Sequence, residues 1–156
     1  MLTSFRGLMA VTLATAGLSL ATPAMAQSED SGFTTSANVA LTTDYRFRGV
    51  SLSGGDPAIQ GGFDVAHDSG FYIGTWASSI KGGPSYGDVE LDLYAGWSGS
   101  LSDAVGIDVG VLYYMYPTED LGLDTDYIEP YASISANLGP AEATLGVAYA
   151  PEQDSL

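Results

Sequence analysis

The chain has 156 residues, of which 4 are basic and 19 are acidic, and its formal net charge is −15. A nucleic-acid-binding surface is excluded, because phosphate contacts need lysine and arginine. The chain has no cysteine and one histidine, which excludes disulfides, thiolate metal sites and His-rich zinc sites.

The first 26 residues have the pattern of a Sec signal peptide. Arg6 supplies a positive charge, residues 7–20 form an apolar run, and Ala24 and Ala26 form an Ala-x-Ala cleavage motif. The apolar run is too short for a comfortable membrane-spanning helix of about 20 residues. We therefore expect cleavage after Ala26 and export of residues 27–156; the alternative is an uncleaved N-terminal anchor.

The exported part shows the two-residue alternation of β-strands, in which successive side chains point to opposite faces. Glycine, tyrosine and β-branched residues also favour strands and turns over helices. Seven strands are predicted, with residues 71–81 the most ambiguous: 36–47, 58–68, 71–81, 88–98, 105–113, 127–138 and 143–149.

The predicted connections alternate between short turns and longer loops rich in Gly, Pro, Ser and Asp. This sorting is typical of an outer-membrane barrel, with periplasmic turns and extracellular loops. One face of most strands is apolar, and the other carries acids, Tyr, Ser and Gly with almost no lysine, which suits a barrel lumen. Aromatic residues near strand ends fit interfacial girdles, although ordinary core packing is the alternative: Tyr45, Phe47, Phe71, Tyr72, Trp97, Tyr113, Tyr116 and Tyr149.

The predicted fold class is therefore an all-β, antiparallel, up-and-down transmembrane β-barrel. In the first strand, Arg46 and Arg48 are expected to share the lumen face, opposite Tyr45. They either line a pore constriction or form ion pairs with acids such as Asp44 or Asp64. The predicted lumen-lining and selectivity residues are Asp44, Arg46, Arg48, Asp64, Asp88, Glu90, Asp92, Asp108 and Glu129. In an open pore, the excess of acids favours cations.

A specific motif covers the first three predicted strands. It consists of Tyr45, Arg48, Gly49, Ser51, Pro57, Ala58, Gln60, Gly61, Gly70, Tyr72, Gly74, Trp76 and Ser78. With the later blocks "ELDLYAGW" and "GVLYYMYP", this pattern resembles the TorF-type porin family of bacterial outer membranes. Leu52 departs from it, since the family usually has glutamine there. The resemblance implies a porin, and it implies further strands, so we expect residues 27–156 to be the N-terminal part of a longer barrel.

The expected function is passive diffusion of small hydrophilic solutes or ions through the outer membrane of a Gram-negative bacterium, without a cofactor or a bound metal. The alternatives are a non-conducting structural or adhesive barrel and a soluble periplasmic β-sandwich. Expected partners are outer-membrane lipid, lipopolysaccharide and the barrel-assembly machinery, and an oligomer is possible.

Two features point weakly elsewhere. The acidic loop 117–126 is a weak candidate for binding Ca²⁺ or Mg²⁺, and a solvated hairpin loop is the simpler interpretation. His67 and Ser69 have a spacing found in hydrolases, but they lie at a predicted tight turn. We therefore expect no enzymatic activity.

Overall fold

The computed structural model describes residues 20–27 and 32–151. These residues form ten β-strands and one helical turn, α1 (Gly83–Tyr86). The strands are β1 (Leu20–Gln27), β2 (Phe33–Thr42), β3 (Arg46–Phe47), β4 (Val50–Ser51), β5 (Ala58–His67), β6 (Phe71–Ser79), β7 (Val89–Ser102), β8 (Val105–Met115), β9 (Tyr127–Asn137) and β10 (Glu142–Ala148).

Eight of the strands form a single antiparallel sheet in the order β1-β2-β5-β6-β7-β8-β9-β10. The remaining two, β3 and β4, pair as a small hairpin within the connection between β2 and β5. The predicted all-β, up-and-down order is therefore confirmed. The sheet is not closed into a barrel, because no pairing within the described ranges joins β1 to β10.

The predicted sorting of connections is confirmed. The turns at residues 68–70, 103–104 and 138–141 are short, whereas the connections at residues 43–57, 80–88 and 116–126 are longer. Because consecutive strands are antiparallel, the short turns lie at one end of the sheet and the long connections at the other. We call these the turn end and the loop end.

The sheet exposes its apolar face and buries its polar face, which is the reverse of a sheet packed on an apolar core. Large apolar side chains are exposed on what we call the outer face: Val39, Leu41, Ile59, Phe63, Phe71, Ile73, Leu93, Val109, Val111, Ile128, Ile134, Leu145 and Val147. Polar side chains are buried on the opposite, inner face: Gln60, Ser78, Glu90, Asp92, Asp108, Glu129 and Ser135. The predicted alternation is therefore confirmed from β5 to β9, with the polar side sheltered.

The inner face is filled largely by tyrosines that lie over glycines of neighbouring strands. A Cβ placed on Gly74 would lie 2.5 Å from the Tyr94 ring, and one on Gly96 would lie 2.3 Å from the Tyr72 hydroxyl. With no side chain at these positions, a ring can cross one strand and bond to the next. The Tyr72 hydroxyl on β6 meets that of Tyr131 on β9, so the two rings together bridge four neighbouring strands on the inner face.

The predicted leader lies mostly outside the described residues. Its last part, residues 20–26, lies in β1, which pairs with β2. This strand contains the predicted cleavage residues Ala24 and Ala26, so cleavage after Ala26 would leave β2 as the edge of the mature sheet. No helix in the described ranges is long and apolar enough to cross a membrane.

Candidate functional site

The connection at residues 43–57, here called the inner loop, turns into the sheet at its loop end. The predicted first strand stops at Thr42, five residues before its predicted end at Phe47. Tyr45, predicted on the lipid face, is 0% exposed. Its backbone N–H donates to Ser53 Oγ over 2.9 Å, and its hydroxyl donates to Glu90 Oε1 over 2.6 Å. The predicted outward position of Tyr45 is therefore wrong, because the chain bends where β2 ends.

The two arginines of the inner loop do not share a face. Arg48 has φ 48° and is followed by Gly49 with φ 88°, so the chain reverses here between β3 and β4. Arg48 Nη2 lies 2.7 Å from Glu129 Oε2 on β9, whereas Arg46 Nε lies 2.6 Å from Asp44 Oδ2 within the loop. Both arginines form ion pairs. Arg46 uses Asp44 as expected, but Arg48 uses Glu129 and not Asp44 or Asp64.

Asp44 holds the inner loop in shape. Its carboxylate accepts hydrogen bonds from Ser51 Oγ at 2.5 Å and Ser53 Oγ at 3.1 Å, in addition to the Arg46 contact. The Ser51 bond is the largest influence on the pKa of Asp44, and together with the Arg46 and Ser53 bonds it lowers that pKa despite partial desolvation. Asp44 is thus an organising acid of the loop.

Three acids are buried where the inner loop meets the sheet. Glu90 accepts from Tyr45 and, over 3.3 Å, from Tyr116 Oη. Glu129 accepts from Arg48 and, over 3.3 Å, from Tyr114 Oη. Asp92 is 1% exposed, and neither of its carboxylate oxygens has a hydrogen-bond partner among the described residues.

A second polar group lies nearer the turn end. The Tyr72 hydroxyl donates to Asp108 Oδ1 over 2.6 Å, and the Tyr94 hydroxyl donates to Asp64, which also accepts from Ser36 Oγ over 3.2 Å. Neutral donors thus stabilise these predicted lumen acids. The sequence indicated this network through tyrosines that alternate in step with the acids and therefore lie on the same face of the sheet.

Three other positions differ from prediction. Asp88 is exposed and lies just before β7, so its predicted inward position is wrong; its backbone N–H donates to Thr118 Oγ1 over 2.8 Å. Tyr72 and Tyr116 were predicted in interfacial girdles, but their hydroxyls bond to acids on the inner face.

Comparison with known proteins gives a family but no function. Residues 26–156 match the model of Gcw_chp, a family described as bacterial protein of unknown function. The chain belongs to the Gcw_chp family. Neither a curated protein nor a solved structure matches it.

The sequence motif of this Gcw_chp member holds the inner loop against the sheet. The rings of Tyr45 and Trp76 meet edge to face with centroids 5.4 Å apart. Gln60 Nε2 donates to Ser78 Oγ over 3.3 Å. The remaining motif residues shape the backbone: Gly49 and Gly70 occupy turns with positive φ, Gly61 closely approaches β2, Gly74 lies under Tyr94, and Pro57 ends the inner loop.

The structure also includes the acidic loop considered for Ca²⁺ or Mg²⁺ and the turn that contains His67 and Ser69. In loop 116–126, Asp126 accepts from the Tyr116 N–H over 2.9 Å, and Glu119 accepts from the Leu121 N–H over 2.9 Å. These acids therefore bond to their own loop. Throughout residues 20–27 and 32–151, no three His, Cys, Asp or Glu side chains are grouped to hold a metal ion. His67 Nδ1 and Ser69 Oγ lie 2.7 Å apart at an exposed turn.

The two arginines offer a matched test of how the inner loop is held. Arg48→Ala leaves the buried Glu129 without its cation, and we expect a loss of about 1–2 kcal/mol in unfolding free energy, since the Arg48 side chain is itself 58% exposed. Arg46→Ala removes the same charge from a pair within the loop, and we expect a loss of about 0–1 kcal/mol. Urea midpoints of the two variants would measure the difference. Equal losses would contradict the assignment of Arg48 as the link to β9.

Proposed function

We propose that this protein forms a porin-like outer-membrane channel for passive diffusion of small hydrophilic solutes or ions. The observation that carries the proposal is the polarity of the sheet, with apolar side chains exposed on the outer face and acids buried on the inner face. In a transmembrane barrel, the first face contacts lipid and the second lines the lumen. The resemblance to TorF-type porins supports the same function.

The open edges of the sheet set a requirement on this channel. Unpaired backbone N–H and C=O groups are too costly to leave in hydrocarbon. After the proposed cleavage, β2 and β5–β10 remain, which are seven strands of the sheet. The channel therefore needs further strands, which close the sheet from β10 back to β2. The acidic inner face then gives the channel a preference for cations.

A non-conducting barrel is the second candidate, and the filled inner face favours it. Tyr72, Tyr94 and Tyr131 extend across the inner face and take up space that a solute would need. Whether a pore stays open depends on barrel width, which grows with the number of strands. A soluble sandwich is less well supported, because no second large sheet covers the outer face within the described ranges.

The test uses the protein extracted from the outer membrane of its own cells. We expect mobility that changes on heating in a denaturing gel, as for a folded barrel, and stepwise, cation-selective conductance in a planar bilayer. A heat-modifiable protein without conductance would favour the non-conducting barrel. A protein found in the periplasm, with mobility unchanged by heating, would overturn both barrel functions.

The proposed export predicts the start of the mature chain. Signal peptidase cleavage after Ala26 would leave Gln27 as the first residue. The family match supports this, since it begins at residue 26. N-terminal sequencing of the outer-membrane protein should read Gln-Ser-Glu-Asp or, if Gln27 has cyclised, a blocked end of matching mass. Retention of residues 1–26 would favour the uncleaved anchor.

A further inference from the structure

Asp92 is the inner-face acid with no compensating group. Its carboxylate is 1% exposed, and both oxygens lack hydrogen-bond partners among the described residues. A buried carboxylate is stable only when it is paired, hydrogen-bonded or neutralised.

The surroundings of Asp92 are acidic and aromatic. Glu90 lies two residues away on the same face of β7, and the charges of both Glu90 and Glu129 act on the Asp92 carboxylate. Trp76 on β6 and Tyr114 on β8 are its direct neighbours across the sheet. Because the charges acting on Asp92 are negative and no basic side chain that the structure describes is paired with it, a positive ion is the group that would compensate this carboxylate.

The protein's own positive charges are used elsewhere. Arg46 pairs with Asp44, Arg48 with Glu129, and Lys81 with Asp56, so each basic side chain in the described ranges has another acid as its partner. Of the three buried acids Glu90, Asp92 and Glu129, only Glu129 is paired with a basic side chain of this part of the protein, that of Arg48.

We propose that Asp92 binds a monovalent inorganic cation, K⁺ or Na⁺, at the loop end of the inner face. This inference rests on the proposed channel function and assigns the position at which a cation pauses. A divalent ion is disfavoured, because no three acidic or histidine side chains of the described part are grouped to chelate one. A single carboxylate binds a monovalent ion weakly, and weak binding allows the ion to leave again, as conduction requires.

The inner loop covers this position. Its Tyr45 ring packs on Trp76, and its Phe47 ring packs on Tyr114 with centroids 5.9 Å apart. The two rings thus lie on the two aromatic neighbours of Asp92, and Arg48 ties the same loop to β9. These contacts place the inner loop against both cross-strand neighbours of Asp92, which is itself 1% exposed.

Thermal unfolding of the detergent-purified, folded protein tests the site without depending on conductance. We would compare KCl and NaCl with N-methylglucamine chloride at equal ionic strength, in mildly alkaline buffer so that protons compete little. Selective binding to the folded state should raise the unfolding midpoint by about 3 °C in KCl or NaCl. Asp92→Asn should abolish this difference, and its midpoint in N-methylglucamine should exceed that of the wild type. Asp108→Asn is the matched control and should keep the difference, because Asp108 already accepts a bond from Tyr72.

Any of three results would overturn the inference. The first is an equal wild-type midpoint in all three salts, and the second is a cation dependence that persists in Asp92→Asn. The third is stronger stabilisation of the wild type by CaCl₂ than by KCl at matched ionic strength. The wild-type comparison stands even if Asp92→Asn does not fold. If the protein does not conduct but shows Asp92-dependent stabilisation, the channel is refuted and the cation site is retained. If it conducts but shows no such stabilisation, the channel is retained and the cation site is refuted.

Discussion

Val111→Arg should prevent assembly of the protein in the outer membrane. Val111 lies near the middle of β8 on the outer face and is 40% exposed. Its cross-strand neighbours are Ala95 and Pro130, neither of which can compensate an added charge. If the outer face contacts lipid, an arginine near the bilayer midplane costs about 2–4 kcal/mol. We expect little or no heat-modifiable protein in the outer-membrane fraction.

Ser133→Arg provides the matched control for the opposite face. Ser133 lies on β9 directly opposite Asp108, on the inner face. An arginine here can pair with that acid, so assembly should remain close to the wild-type level. Comparable amounts of both folded variants would refute the lipid-facing assignment of the outer face. Loss of both would show only that the sheet tolerates no added bulk, and Val111→Leu would then separate size from charge.

Much of the fold follows from local alternation along the chain. The strands from β5 to β10 begin and end close to their predicted positions, because recognisable turns bound them and all but β6 alternate clearly between apolar and polar residues. In β7, the run from Val89 to Trp97 assigns one face to apolar residues and the other to Glu90 and Asp92. Turn chemistry likewise predicted which end of the sheet carries the long connections.

The inner loop could not be predicted in this way. The alternation of Tyr45 and Phe47 with two arginines continues the pattern of β2, yet the strand has ended. The conformation is determined by partners distant in sequence, since Tyr45 bonds to Glu90 and Arg48 to Glu129. Local periodicity contains no information on such contacts. It placed Glu90, Asp92 and Glu129 correctly on the inner face. It placed Asp88 there wrongly, and it did not show which acid would lack a partner.

Glycine is as important to the inner face as the acids, and Gly74 shows this most clearly. Gly74 on β6 lies between Asp64 on β5 and Tyr94 on β7 in one row of the sheet. Tyr94 crosses over Gly74, and its hydroxyl donates to Asp64. Gly74→Val should destabilise the fold by about 3 kcal/mol, because the new side chain occupies the place of the ring and separates Tyr94 from Asp64. The urea midpoint of the refolded protein would measure this loss.

If Gly74 makes room for the Tyr94 ring, the loss of unfolding free energy caused by Gly74→Val must depend on Tyr94. In the double variant with Tyr94→Ala, the ring is gone, and we expect a coupling energy of about 1–3 kcal/mol that offsets part of the two separate losses. Gly146→Val is the control for a β-branched residue in the same sheet; a Cβ there meets Ser133 Cβ at 3.3 Å, so only a small adjustment is needed. Additive losses in the double variant would mean that backbone strain at Gly74, and not the tyrosine, limits the site. Strong coupling would show that glycine at this position makes room for the tyrosine that bonds to Asp64.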